Sequence, residues 1–555
     1  MSPNAQYDPI TIEIIQSSLA AITEEMCVTT RRTAMSSVIY EVLDFGVAVT
    51  DRDGNLASSG SGIPAFVGML DHGVKTIIEK FARRDTIEPG DVYLTNVPHR
   101  GGVSHLNDVV VIAPIFHEGV LLAWAANKAH WLDVGGMSPG SMDPAAADLY
   151  QEGLQLPEIK LFDAGVLNQA VFDIVIANCR QKETTTGDLW ACVASVKTGE
   201  RRVIELAQRY GNDTLMYAIE RYIDYGEAVS RRGMKALPRG TFTAEDQLND
   251  GTILRAKITI TDTKFTVDFT DFPPQRADSF NFTQAITVVN SMMAFKSITS
   301  PRTPANAGTF KPLEVVCKPG SLCSATYPAA TGLYFVYSIL IHELIWKALA
   351  PHLPQLLPAG HFASICGTIV GSVDPGSGKP HVFAEPQPGG WGAEHDRDGD
   401  SAQFSSFHGE TFNCPVEVNE GRNGIRVEEF ALNPADGGEG EFRGGKGVRI
   451  KYRLTGQNAW ITAAYSRAND SPWGLAGGMP GSRNRIGVIR ADGTEESYDV
   501  CTNLRLHSGD VLCIQTATGG GYGDPRRRPR EKILSDIRNG YVSRERAVQV
   551  YGLEI

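Results

Sequence analysis

The sequence predicts a mixed α/β (α+β), multi-domain fold, with a buried β-hairpin at its functional centre and a helical C-terminal tail. Three observations carry this. The chain has 555 residues, more than one hydrophobic core organises, and length alone implies about three or four domains. Its texture changes near Leu237-Pro-Arg-Gly240 from helical spacing to short alternating strands, and again near residue 360, where glycine becomes dense. Finally, residues 109–127 read as VVVIAPIF, a His117-Glu-Gly119 turn and VLLAWAAN, the pattern of a buried hairpin. The expected divisions are an N-terminal α/β domain over 1–236 and a mixed strand/helix domain over 237–358. A Gly-rich β domain with a lid loop over 359–525 and a helical tail over 526–555 follow.

Each element has a local reason. Apolar residues at helical spacing from Ile10 to Met26, with Asp8 as N-cap and Pro9 in the first turn, predict a helix over 10 to about 40. Phe45–Thr50, Asp51-Arg-Asp-Gly54 and the following Asn55-Leu-Ala-Ser-Ser predict a strand, a tight turn and a return strand. A short helix over 71–81 precedes Pro89-Gly-Asp91 and a strand over 92–95. Residues 160–185 and 188–233 read as mainly helical, with Gly187-Asp188 as the break. Beyond 240 come the strands ILRAKITITD and KFTVDFTDF, a Pro273-Pro274 turn, a helix over 283–298 and an apolar helix over 331–350 closed by Pro351. Strands separated by Gly-rich loops fill 360–525. Helices over 527–538 and from a Ser543 N-cap to Tyr551 end the chain.

Composition removes several function classes. Hydrophobic residues make up 42% and charged residues 21%, the balance of a globular protein with ample core. A net charge of −12 argues against nucleic-acid binding, which needs a basic face. The one basic run, RRRPR at 526–530, reads as a solvated helix start or an intersubunit contact. Nine scattered cysteines without any C-x-x-C fit a reduced, cytoplasmic compartment and fit a cysteine-ligated metal poorly. No basic segment followed by an apolar run opens the chain, and no apolar run approaches about 18 residues, so neither export nor a membrane span is expected.

The most informative stretch is Val97-Pro-His-Arg-Gly-Gly-Val-Ser-His-Leu-Asn-Asp108, with Lys128-Ala-His-Trp-Leu-Asp-Val-Gly-Gly136 at the other end of the hairpin. A hairpin returns its two ends to one edge, so His105 and Asp108 should meet His130 and Asp133. Imidazoles and carboxylates in such a set suit a divalent metal, zinc, manganese or iron, and the sequence does not choose among them. The alternative is ordinary loop chemistry: strand capping, Asx turns and a satisfied core histidine. Four such residues at the two mouths of one hairpin favour the metal.

Other motifs are weaker. Gly389-Gly-Trp-Gly-Ala-Glu-His-Asp-Arg-Asp-Gly-Asp400 is either a lid bringing Glu394 or His395 over the site as acid, base or clamp, or a solvated acidic turn. Gly437–Gly447 lacks G-x-x-x-x-G-K-[ST], because Gly447 follows Lys446, so a tight turn between strands explains it better than a phosphate loop. Thr518–Pro525 reads the same way.

Together, GG-x-x-HL-x-D at 101–108, AHWLDVGG at 129–136, Pro304-Ala-Asn-Ala-Gly308, the 389–400 loop, Asn413-Cys-Pro-Val-Glu417, RGGKG and TGGGYGDP resemble the hydantoinase B/oxoprolinase family over nearly the whole length. The resemblance implies the B-type component of an ATP-dependent cyclic amide hydrolase opening a hydantoin, 5-oxoproline or lactam ring. It implies a hetero-oligomer with an A-type subunit that binds ATP and phosphorylates the substrate. It further implies a divalent metal on Asp44, His105, Asp108 and His130, with Asp133 as an alternate ligand or a catalytic, orienting partner and Glu394 or His395 carrying a proton. Related subunits of acetone- and acetophenone-type carboxylases supply the alternative activity. The family often has N-D-P-Y before the Gly-Gly pair, whereas this chain has Asn96-Val-Pro-His99, which makes His99 a rival ligand.

Overall fold

The computed structural model describes residues 8–83, 86–376, 378, 380–409 and 411–554. Residues 1–7, on which the expectation about a leader partly falls, lie outside this set. A mixed α/β architecture of several sheets and helices is observed.

The N-terminal region is built on a seven-stranded sheet. Its strands are β1 (Phe45–Asp51), β2 (Leu56–Ser59), β3 (Val92–Thr95), β4 (Asp108–His117), β5 (Val120–His130), β6 (Ile159–Asp163) and β7 (Val166–Leu167). They are ordered β2-β1-β5-β4-β3-β6-β7, every pair antiparallel. The hairpin is central, which explains its unbroken apolar run. Val109, Val111 and Ala113 face the Pro9–Thr33 and Lys182–Tyr210 helices, while Val110 and Ile112 face the Pro64–Ala82 helix. With both faces covered, alternate side chains have no solvent side to occupy.

Several expected boundaries move. The first helix ends at Thr33, because the amides of Met35 and Ser36 donate instead to the Asp188 carboxylate at 2.7 and 3.0 Å. Gly187-Asp188 is therefore no break, and one helix runs from Lys182 to Tyr210. A Cβ on Gly187 would meet Met35 Cγ at 2.0 Å, so glycine there serves a close crossing. The helix expected over 71–81 starts earlier, at Pro64 in its first turn. Part of the supposedly helical 160–185 segment forms β6 and β7, which widen the sheet.

The middle of the chain forms a four-stranded sheet from Gly240–Gln247, Ile253–Ile260, Phe265–Asp268 and Leu313–Val316, packed on the Gln284–Thr299 and Phe335–Leu349 helices. The Gly-rich region contributes a four-stranded and a five-stranded sheet that share a further core. The tail helices, Arg530–Arg538 and Arg544–Gln549, follow Arg528. Arg528 is neither solvated nor at a free surface: it is buried and donates to Asp398 at 2.7 Å and Asp536 at 2.9 Å. Among the described residues no helix is long and apolar enough to cross a membrane.

Candidate metal centre

Strand register assembles the site. Asp108 opens β4 and His130 closes β5, and the two residues pair directly across the hairpin. Asp44 immediately precedes β1, the other neighbour of β5, and its carbonyl accepts the His130 amide at 3.0 Å. His105 lies in the turn before β4, where its carbonyl accepts the Asp108 amide at 3.1 Å. That turn is pressed onto the Pro64–Ala82 helix: Gly102 has φ +87°, and a Cβ there would sit 2.5 Å from Gly73 Cα. Only glycine meets both demands.

Three donor atoms converge. His105 Nε2 lies 3.1 Å from His130 Nδ1 and 3.3 Å from Asp108 Oδ1, and His130 Nδ1 lies 3.5 Å from the same oxygen. His105 Nδ1 is 2.9 Å from the Gly332 carbonyl. A proton on Nδ1 makes that bond and leaves Nε2 with its lone pair toward the cluster. All three residues are buried.

The electrostatics divide the two aspartates. Burial opposes the charge on Asp108, yet Lys128, His105 and His130 hold its carboxyl well below the ordinary range. Lys128 Nζ lies 3.1 Å from Asp108 Oδ2 and 3.0 Å from Ser104 Oγ, with the Phe66 ring centroid at 3.8 Å. Ser104 also donates to Asp108 Oδ2. Asp44 is pushed up to about 7, first by burial and then by Asp108, against the pull of His130 and Lys128. Asp44 Oδ1, Asp108 Oδ1 and His130 Nε2 are buried without a hydrogen-bond partner among the described residues. Unpaired buried polar atoms are costly, and the two carboxylate oxygens, beside the His105 and His130 nitrogens that converge, suit a divalent cation.

The cluster opens on a pocket of about 50 Å³ that also receives Tyr334, Thr368, Glu385 and His408. His408 is pushed down to about 3, first by burial and then by His130. Its ring is therefore neutral, and its Nδ1 has no partner among the described residues.

The remaining sequence candidates sit elsewhere. Asp133 accepts from the amides of Gly135, Gly140 and Arg180 at 3.0 Å each and from Arg180 Nη1 at 2.9 Å, and does not line the pocket. His99 has its two ring nitrogens 3.2 and 2.9 Å from the carbonyls of Ala325 and Ala329, directed away from the cluster. Glu394 pairs with Arg397, and His395 is exposed with Nδ1 3.8 Å from Asp396. Their loop is pinned through the Trp391 and Ala393 amides to Asp400 and Gly520 and through the Trp391 carbonyl to Gly445. Lys128, Ser104 and His408 were missed. Lys128 carried a signal, because a lysine two residues before His130 on one strand shares its face. His408 comes from a distant loop and carried none.

Fold and cluster together define a multi-domain α+β protein with a buried His–Asp site able to hold a divalent cation. The chain belongs to the hydantoinase B/oxoprolinase family, whose model matches residues 8–525. It is 32% identical over 578 residues to a protein of a Pseudomonas species provisionally named as the B component of a D-/L-hydantoinase, covering 99% of this chain and 96% of that one. It is 29% identical over 572 residues to the caprolactamase beta subunit of Pseudomonas jessenii, again covering 99% and 96%. The crystal structure of the ATP-dependent caprolactamase from that organism superposes with a TM-score of 0.91 at 26% identity, covering 99% of this chain and 97% of that chain. The nucleotide-free acetone carboxylase structure shares the fold, with a TM-score of 0.90 at 19% identity over 99% of this chain and 80% of the other.

Proposed function

We propose that this chain is the B-type component of an ATP-dependent cyclic amide hydrolase acting on a hydantoin, 5-oxoproline or lactam ring, with a divalent metal held by Asp44, His105, Asp108 and His130. The observation that carries the reading is the triangle of donor atoms with edges of 3.1, 3.3 and 3.5 Å. Donors about 2.1 Å from one centre, at the angles of tetrahedral or octahedral coordination, stand roughly 3.0–3.4 Å apart. Zinc, manganese and iron all suit this set.

When bound, such an ion supplies Lewis acidity that brings the pKa of a coordinated water toward neutrality. The chain's own residues prepare for that. Lys128 and Ser104 keep Asp108 ionised and oriented, and the Gly332 carbonyl fixes the His105 tautomer. Asp133, bonded to the 135–140 turn and to Arg180, acts at a distance by holding the segment after His130. Glu394 and His395 receive no step, because their loop stands outside the pocket.

An amide is resonance-stabilised, and this chain has no G-x-x-x-x-G-K-[ST] loop. Activation by ATP therefore falls to an A-type partner in a hetero-oligomer, consistent with relatives named as the B or beta components of their enzymes. The test is turnover of N-methylhydantoin, 5-oxoproline or caprolactam by the reconstituted A/B pair with ATP. Ring opening without bicarbonate supports the reading. Consumption of acetophenone or acetone only with bicarbonate replaces it with a carboxylase.

A further inference from the structure

A second cavity, of about 640 Å³, lies behind the metal pocket. The start of the Pro64–Ala82 helix and the 405–409 segment separate the two: Phe66 and His408 face the metal pocket, Val67 and Ser406 the larger cavity. Its walls are mainly apolar, with Trp346, Trp391, Met292 and Met293 among them, and no carboxylate of the described residues lines it. Lys296 stands on its wall with Nζ 3.0 and 3.4 Å from the carbonyls of Ser300 and Pro301.

Two features mark this cavity as more than a packing defect. His342 is 3% exposed, lines the cavity, and has no hydrogen-bond partner among the described residues on either ring nitrogen. Burial and the neighbouring His361 push it down to about 3, so the ring is neutral and offers one unused N–H. Buried donors of this kind are rarely left without a partner, and a molecule held in the cavity can supply the acceptor.

The second feature is a relay in the wall. Ser406 Oγ lies 3.4 Å from His361 Nε2, and His361 Nδ1 lies 2.5 Å from Glu343 Oε1. Trp473 Nε1 donates to Glu343 Oε2 at 2.8 Å, and Arg467 Nη2 stands 3.6 Å from the same oxygen. Glu343 on Nδ1 selects the tautomer whose Nε2 lone pair faces the serine, the arrangement that makes a hydroxyl nucleophilic. His361 and Glu343 are fully buried, whereas Ser406 is partly open and lines the cavity. The long first link is of the kind that tightens when substrate enters an empty site. No G-x-S-x-G turn delivers this serine, but such relays are defined by geometry and not by sequence order.

We propose that Ser406, His361 and Glu343 form a second reactive centre, independent of the metal cluster, that accepts acyl groups from esters with an apolar acyl part. Ser406 Oγ bonds to the carbonyl carbon as its proton passes to His361 Nε2, and the carbonyl π pair moves onto oxygen, which accepts a hydrogen bond from His342. Return of that pair breaks the bond to the leaving alkoxide, which takes the proton from His361 and departs as the alcohol. Water then attacks the Ser406 ester by the same route, giving the carboxylic acid and restoring the serine.

The test treats the full chain, alone and with its A-type partner, with an alkyl fluorophosphonate and with p-nitrophenyl butyrate. The expected result is one phosphonyl adduct, on the peptide bearing Ser406, together with release of p-nitrophenol. Ser406→Ala, which removes one oxygen from the cavity wall and leaves the fold intact, abolishes both. Glu343→Gln slows both by roughly 100-fold or more, and chelation of divalent metal changes neither. The proposal is overturned if Ser406 carries no adduct under conditions that fully label a control serine hydrolase, or if p-nitrophenyl butyrate hydrolysis is undiminished in Ser406→Ala.

Discussion

Replacing Lys128 with methionine isolates the electrostatics of the metal centre. The ammonium is fully buried, 3.1 Å from Asp108 Oδ2, with the Phe66 ring beneath it. At that separation and an effective dielectric of about 20, the attraction is roughly 5 kcal/mol. Removing one member of a buried pair costs about 3–5 kcal/mol, because the other charge is left uncompensated. Methionine nearly preserves the stem volume, so little of the loss comes from a cavity. On the proposed function, a divalent cation held by Asp44, Asp108 and the imidazoles would replace the missing positive charge, so the deficit should shrink when metal is supplied. Linkage sets the scale of metal stabilisation at about 2.7 kcal/mol when free metal is 100-fold above Kd. The assay is hydrogen exchange of peptides spanning 108–130, with chelator and with added manganese or zinc. In chelator, exchange in the variant should accelerate by roughly two to four orders of magnitude, and metal should restore much of the protection. An identical deficit under both conditions would refute the reasoning, since the lysine would then stabilise the hairpin without reference to a cation.

Three further outcomes follow from the same geometry. His105→Ala and His130→Ala should each lose bound metal by elemental analysis and lose ring opening, while size-exclusion chromatography still shows the A/B assembly. Gly102→Ala forces a side chain into φ +87° and against Gly73 Cα at 2.5 Å; metal content should fall with little change in far-UV circular dichroism, because the His105 turn moves and the sheet does not. Glu152 is pushed up to about 8 by burial, although it accepts the Thr331 and Gly332 amides. A carboxyl raised in the fold favours folding below its ordinary value near 4.5, and that contribution is lost as pH rises through about 8. Urea midpoints should therefore decline between about pH 5 and 8, and Glu152→Gln should flatten that decline; an unchanged slope would assign the carboxyl no part in it.

What was legible in the sequence was whatever one strand, one turn or one register decides. The apolar run of the hairpin placed Asp108 opposite His130, and the Gly-Gly pair marked a turn that only glycine can make. The rest depends on contacts between distant segments, which leave no local pattern. His408, Glu385 and Tyr334 reach the pocket from other parts of the chain, and nothing in their neighbourhoods announces it. Glycine serves close backbone packing in two places. At Gly187 it read as a helix break, yet it admits Met35. In the 389–400 loop, where the sequence left a lid and a solvated turn both open, a Cβ on Gly390 would lie 2.1 Å from the Gly445 carbonyl, and one on Gly392 would lie 1.9 Å from that of Ala359. These glycines let irregular segments pack backbone against backbone, and the bonds they permit hold Glu394 and His395 on the outside. Dense glycine can thus mark a segment packed backbone against backbone as readily as a free loop, and only the partner segment distinguishes the two.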